Sequence, residues 1–400
     1  MLLSPNKHNH PRLDLINPIC ILLLSSIGIL FIHSAQSYIH GGQWKSQLAW
    51  FFIGSTIYTA VSLTNYSNFL KYSHWLWLAA VVMLALVLWS PLGKSIYGAK
   101  RWLDLGFYTF QPVEIAKLAG IVISASILTR SEVGDFRDSL QVLAKMALAI
   151  SIPFLLILAQ PDLGSSLVIP FFVFAQLYAS NLSKRFFTTA LVVFGVLLGA
   201  ILIDNHNYVK FLEENNLTPS QGQGQYQETS WFPLKDYQRN RILNFVNPSK
   251  VDSQDSGWNR EQSVISVASG GLFGKGVRQG SQAQLGYLPR SVAHNDFIFS
   301  VIAEEAGFIG SAVVISLFGI LLANSLRIAG QAKDRFGTLL VLGVVALFSV
   351  HIFVNIAMTI GLMPITGLPL PFLSHGGTFM VSCCILLGLV QSVYRYRKDF

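Results

Sequence analysis

Long apolar runs alternate with short polar interruptions along this chain, and ten of the runs dominate it. Their approximate limits are Leu15 to Ala35, Gln47 to Leu63, His74 to Trp89, Val113 to Leu128, Val142 to Ala159, and Leu163 to Ala179. Four more cover Phe186 to Ile203, Phe297 to Ala323, Gly337 to Gly361, and Gly376 to Val393. Apolar runs of roughly 18 or more residues reach across a hydrocarbon core about 30 Å thick. The runs lack every-second-residue alternation, and lipid offers no partner for free backbone groups, so each predicts a helix. The expected fold is an all-α integral membrane protein of about ten transmembrane helices, forming one polytopic domain over residues 1–400.

The only sizeable polar block, residues 204–295, falls between the seventh and eighth runs. It joins a Gln/Gly-rich stretch, Gln221 to Gln227, to an aromatic-bearing stretch, Trp231 to Trp258. Unbroken loops of this length are functional or disordered. Partial order around a flexible tip is expected, with a disordered linker as the alternative.

Composition agrees: 52% of the 400 residues are hydrophobic and only 12% are charged, with mean hydropathy +0.50. That is about half the charged share of a soluble domain, too little to cover a water-facing surface. The net charge of +8 would suit nucleic acid in a soluble protein, but here the basic residues lie between apolar runs and report topology. With the N-terminus inside, the cytoplasmic segments hold Lys7, Arg12, Lys71, Arg130, Arg137, Lys145, Lys184, Arg185, Arg327, Lys333, Arg335, Arg395, Arg397 and Lys398. The short outer loops hold only Lys45, Lys94, Lys100 and Arg101. Both termini are therefore expected in the cytoplasm, and the 204–295 loop outside it. Lys7 and Arg12 precede an apolar stretch with no small-residue cleavage signature, which predicts an anchor.

Ionisable groups within or beside a span cost roughly 2.5 to 3.5 kcal/mol on insertion scales, which marks each as a candidate site residue. Glu114 and Lys117 stand three apart on one helix face, either as a pair that locks helices or as the lining of a polar cavity. Asp162 opens the sixth run and Asp296 the eighth, with Glu304 and Glu305 two turns later. Either aspartate could be a helix N-cap or a chemical carboxylate. Gly361 to Gly377, with three prolines, predicts a rigid non-helical outer loop, tolerable at membrane depth only against protein or a cavity. His33 and His351 read as packing residues, as do Cys20, Cys383 and Cys384. No Cys/His spacing argues for a first-row metal.

Five motifs occur in a telling order: Gly98-Ala99-Lys100-Arg101-Trp102, Gln111-Pro112-Val113-Glu114-Ile115-Ala116-Lys117, Gln160-Pro161-Asp162-Leu163-Gly164, Asp296-Phe297-Ile298-Phe299, and Pro369-Leu370-Pro371 through Gly377. Together they make the chain resemble, nearly end to end, the shape, elongation, division and sporulation family of peptidoglycan glycosyltransferases. Asn247-Pro248, Gly257-Trp258-Asn259, Gly274-Lys275-Gly276 and Gly280-Ser281-Gln282 resemble the elongation branch more than the division branch. Val113, Asn295, His375 and Thr378 depart from the residues usual in the family. The stretch from Pro289 to Asp296 is also two residues longer than usual and lacks the family's glutamate.

The resemblance implies an enzyme of the bacterial cytoplasmic membrane that polymerises lipid II into glycan strands at the outer face. Its implied partners are a class B penicillin-binding transpeptidase and other membrane proteins of the elongation complex, with no nucleic acid. Asp296 matches the family's essential aspartate and would act as general base. Trp102, Glu114, Lys117 and Asp162 match other motif positions linked to function, and with Lys100 and Arg101 they are the expected substrate-binding residues. Lys117, Arg101 and Lys100 are candidates to stabilise the departing pyrophosphate, with Glu114 holding Lys117. No organic cofactor is expected, and a divalent cation could share that charge. Two other classes also use intramembrane charge. A precursor flippase would move headgroups without making polymer, and a non-catalytic scaffold would tolerate an Asp296 that cannot accept a proton.

Overall fold

The computed structural model describes residues 13–37, 41–96, 99–106, 108–131, 136–180, 182, 184–219, 221–222, 224–226, 230, 234–246, 256–288 and 293–397. Lys7, Arg12, Gly98, Asn247-Pro248, Lys398 and parts of the Gln221 to Gln227, Trp231 to Trp258 and Pro289 to Asp296 stretches lie outside them.

Every expected span is a helix. In order they are α1 (Ile16–Gln36), α2 (Gln43–Leu63), a short α3 (Ser67–Lys71), α4 (Ser73–Trp89), α5 (Pro112–Arg130), α6 (Phe136–Ala159), α7 (Leu163–Ala179) and α8 (Lys184–Glu214). After the polar block come α12 (Ile298–Gly330), α13 (Arg335–Thr359) and α14 (Gly377–Arg395). Seven are long and apolar enough to cross a membrane on that ground alone. α4 and α7 are apolar but only 17 residues long, and α2 has the length with a more polar first turn, completing ten. The chain is a multi-pass membrane protein.

The centre of the bundle is α5, α13 and α14, whose apolar stretches are mostly enclosed by protein. α14 packs on α2, α13 on α7 and α5, α4 on α5, and α12 between α1 and α13. At one end of the bundle Asp14 accepts from Arg327 at 2.5 Å and from Asn324 at 2.7 Å, clamping the start of α1 to the end of α12.

Three features exceed the expectations. The strands β1 (Gly93–Ile96), β2 (Ala99–Asp104) and β3 (Thr109–Phe110) form a three-stranded antiparallel sheet, where only a loop is predicted. Strands of two to six residues are too short to show a period. α8 runs eleven residues past Ile203, because its polar end folds into a small cap over the bundle. There the Arg239 guanidinium, on α9 (Asp236–Val246), pairs with Asp204 at 2.7 Å and Asp236 at 2.8 Å, all three fully buried. Tyr208, Leu212, Tyr226 and Leu243 close over them. With α10 (Ser256–Ser269) and α11 (Ser281–Gln284), this gives the polar block the partial order expected of it. Finally, α12 is kinked at Gly307 (φ 65°, ψ −161°).

Candidate functional site

The two aspartates, indistinguishable as caps from position alone, differ here. Asp162 caps α7, its Oδ1 accepting from the Ser165 amide at 3.1 Å. Asp296 lies in the turn ahead of α12, whose N-cap is Phe297, and its side chain caps nothing. Its carboxyl is half-buried. Burial pushes it up to about 6, against the pull of the nearby Arg241 and Arg101 guanidinium groups and with a push from Asp162. A carboxylate at that pKa is a better proton acceptor than an ordinary aspartate and is still ionised at neutral pH.

β2 brings Arg101 to Asp162. The guanidinium stands 3.8 Å from its carboxylate and donates to the backbone carbonyls of Gln160, at 3.3 Å, and Pro161. The Pro161 turn, with its Asp162 cap, is thereby fixed beneath the sheet. Arg241 reaches the same place from α9, donating to the Thr366 carbonyl at 3.4 Å. Arg101 and Arg241, from two separate stretches of the sequence, thus bring positive charge to Asp296.

The Gly361 to Gly377 loop is the wall of the site. It is non-helical through Gly376 and its Leu368, Leu370, Phe372 and Leu373 are buried, as a loop at membrane depth requires. Gly367 lies close to the Asp296 carboxylate, with the Oδ2 only 3.5 Å from where a Cβ would sit. Asn355 on α13 donates to the carbonyls of Asp296, at 3.0 Å, and Leu368, at 2.7 Å. Ser374 donates to Asn295 at 2.7 Å, and the His375 amide to His294 at 3.1 Å. The turn carrying Asp296 and the loop facing it are one hydrogen-bonded unit.

Glu114 and Lys117 pair at 2.7 Å in the interior, 3% and 1% exposed. Lys117 also lies 3.3 Å from His351 Nε2, while His351 Nδ1 lies 3.0 Å from the Pro369 carbonyl. A carbonyl only accepts, so Nδ1 carries the proton and Nε2 receives the bond from the Lys117 ammonium. Glu114, Lys117 and His351 therefore brace the loop from behind. Lys100 also points elsewhere, its ammonium donating to the carbonyls of Leu88 at 3.1 Å and Ser90 at 3.3 Å, where it caps the end of α4. Trp102 is half-buried in β2, opposite Lys94. The structure thus gathers Asp296, Asp162 and Arg101, places Glu114 and Lys117 behind the wall, and turns Lys100 toward α4. Glu304 and Glu305 sit on α12, tied to Lys275 at 2.6 Å and Ser34 at 2.6 Å.

His351, Asn355 and Arg241 were not among the expected site residues. His351 and Asn355 stand four apart on α13, hence on one face, a polar pair inside an apolar helix that the rule for intramembrane polar groups would have flagged. Arg241 carried no local signal. Among the described residues no group of three or more His, Cys, Asp or Glu could hold a metal ion.

A model of the FtsW, RodA and SpoVE family, described as cell cycle proteins, matches residues 14–399. The chain belongs to this family. An FtsW/RodA/SpoVE relative, the peptidoglycan glycosyltransferase MrdB of Escherichia coli (strain K12), is 31% identical over 403 residues, covering 99% of this chain and 98% of its own. The peptidoglycan glycosyltransferase RodA of Treponema pallidum (strain Nichols) is 31% identical over 420 residues, with 93% and 95% covered. The fold matches a chain of the solved structure "Structural coordination of polymerization and crosslinking by a peptidoglycan synthase complex" with TM-score 0.76 and 26% identity, covering 97% of this chain and 99% of that one.

Proposed function

We propose that this chain is a peptidoglycan glycosyltransferase of cell elongation, polymerising lipid II at the outer face of the cytoplasmic membrane beside a class B penicillin-binding transpeptidase. In this reading both termini are cytoplasmic and the cap carrying α9 and α10 lies outside. The names of the full-length relatives support the activity, and the complex matched by the fold supports a crosslinking partner.

One observation carries the chemistry: a carboxylate at the head of α12 that caps no helix, raised toward neutrality, with Arg101 and Arg241 beside it. Glycosyl transfer joins a sugar hydroxyl to an anomeric carbon as the bond to pyrophosphate breaks. Asp296 takes the hydroxyl proton as that bond forms. Arg101 and Arg241 stabilise the charge on the departing pyrophosphate, and Arg101 does so while holding the Asp162 turn. Lys117, Glu114 and His351 act through the loop they brace, so their contribution is positioning. Asp162 and Asp296 lie near enough for their charges to repel, and they would hold a hard divalent cation that arrives with substrate phosphates, since such an ion needs only one or two carboxylates. When bound it would add charge stabilisation at the pyrophosphate.

The test uses purified protein and labelled lipid II, with polymer separated on a gel. Wild type should make glycan strands. Asp296→Asn should fold, because no cap is lost, and make none. An active Asn variant would remove the base from this account.

A further inference from the structure

The kink in α12 exchanges hydrogen bonds in a specific way. In an unbroken helix the amides of Phe308 and Ile309 would donate to the carbonyls of Glu304 and Glu305. Instead Phe308 donates to Gly271 at 2.9 Å and Ile309 to Leu272 at 3.2 Å. The vacated carbonyls accept from the loop, Glu304 from the Lys275 amide at 3.0 Å and Glu305 from the Gly276 amide at 2.9 Å. Two helical bonds become four bonds to the segment 271–276. The contact requires glycine, since a Cβ on Gly274 would lie 2.2 Å from the Glu305 carbonyl and one on Gly307 2.3 Å from the Gly274 nitrogen.

The depth of this splice can be read from α12 itself. From Ile298 to Glu305 every residue is buried in protein. Below the kink the helix turns outward a band of large apolar side chains, Phe308, Ile309, Val313, Ile315, Ile320 and Leu326, which ends one residue before Arg327. Phe308 to Leu326 is 18 steps at a rise of about 1.5 Å, roughly 27 Å, nearly the thickness of a hydrocarbon core. Phe308 therefore marks the upper edge of the lipid-facing band. Leu272 and Phe273 hang beside it on the spliced loop, 55% and 77% exposed, next to Phe308 at 67%.

We infer that the 271–276 loop is a re-entrant wedge whose Leu272 and Phe273 insert among the acyl chains of the leaflet next to Asp296. Non-helical backbone at membrane depth needs polar groups paired within the protein, and the splice with α12 pairs the carbonyls of Gly271 and Leu272 and the amides of Lys275 and Gly276. The wedge pins α10 and the loop behind it at a fixed depth. That does not depend on which way the chain crosses the membrane.

The test places the full-length chain, with Phe273→Cys carrying an environment-sensitive fluorophore, in phosphatidylethanolamine/phosphatidylglycerol nanodiscs. The three native cysteines are buried, so the label is selective. The wedge predicts blue-shifted emission that is largely lost to nitroxide carried high on the acyl chains and largely kept in iodide, whereas a label at Asn215→Cys loses its emission to iodide. Quenching of the Phe273 label by iodide overturns the inference. Protection from both quenchers, the signature of a protein neighbour, overturns it equally. Should Phe273→Cys fail to fold, Leu272→Cys gives the same readout.

Discussion

The Asn355 side chain holds the backbone of Asp296 directly, donating to its carbonyl at 3.0 Å while also donating to Leu368 at 2.7 Å. One fully buried amide thus sets the spacing between the carboxylate turn and the loop that faces it.

Asn355→Ala orphans both carbonyls, and each buried unpaired acceptor costs about 1 to 3 kcal/mol. The expected result is a lower melting temperature together with a fall in kcat of tenfold or more, since misplacement by about 1 Å can reduce rates on the order of a hundredfold. KM for lipid II should change little. Reduced melting with unaltered kcat would show that the bracket serves architecture alone.

The Asp296 carboxyl, raised to about 6 from an ordinary 3.8, predicts opposite pH trends for activity and stability. Polymerisation should rise with pH through about 6, where the base loses its proton, and then level off. Stability runs the other way. Between the two values the folded chain holds a proton that the unfolded chain has released, so stability declines as pH rises through that window and stays lower above it. Asp296→Asn has no such slope. At pH 8 it should melt no lower than wild type while making no polymer, and a much less stable Asn variant would contradict this.

Lys117→Met leaves Glu114 without its cation in the interior. Breaking a buried pair from one side costs about 3 to 5 kcal/mol. The double variant Glu114→Gln with Lys117→Met removes both charges and should recover much of that loss, as read by thermal melting in detergent. If the double variant were no better than the single one, the pair would not be the source of the stability.

Asp162 separates capping from charge. Asp162→Asn keeps the bond to the Ser165 amide and loses only the attraction to Arg101, whereas Asp162→Ala loses both. The alanine variant should be less stable than the asparagine one by about 1 kcal/mol. Equal melting would remove the cap.

The ten spans were legible because lipid imposes a length and a polarity on any helix that crosses it, and a local run reports both. The Asp296 and Asp162 turns were legible as charges at span edges. Position could not say which of them capped, because capping depends on a single amide and on where the helix begins. Lys100 and Lys117 read as anion-binding candidates by type and neighbourhood. Their actual partners, the end of α4 and a histidine 234 residues away, are tertiary facts. His351 reads as a packing residue because its neighbours in sequence are apolar, although Asn355 one turn on is a visible hint. Arg241 reaches the site only through tertiary placement, and the strands of the small sheet are too short to show a period.

No residue of the apolar stretch of α8 is buried, so that stretch turns away from the bundle and toward the membrane. Its position is set at its ends, by Phe187 against Phe174 and Tyr178, and by Asp204 locked to Arg239 on the helix that carries Arg241. A helix held in this manner tilts to match the thickness of its host bilayer. The catalytic rate should then vary with acyl-chain length in reconstituted vesicles, while the melting of the bundle varies little, and a flat response would show that the cap is insulated from the bilayer.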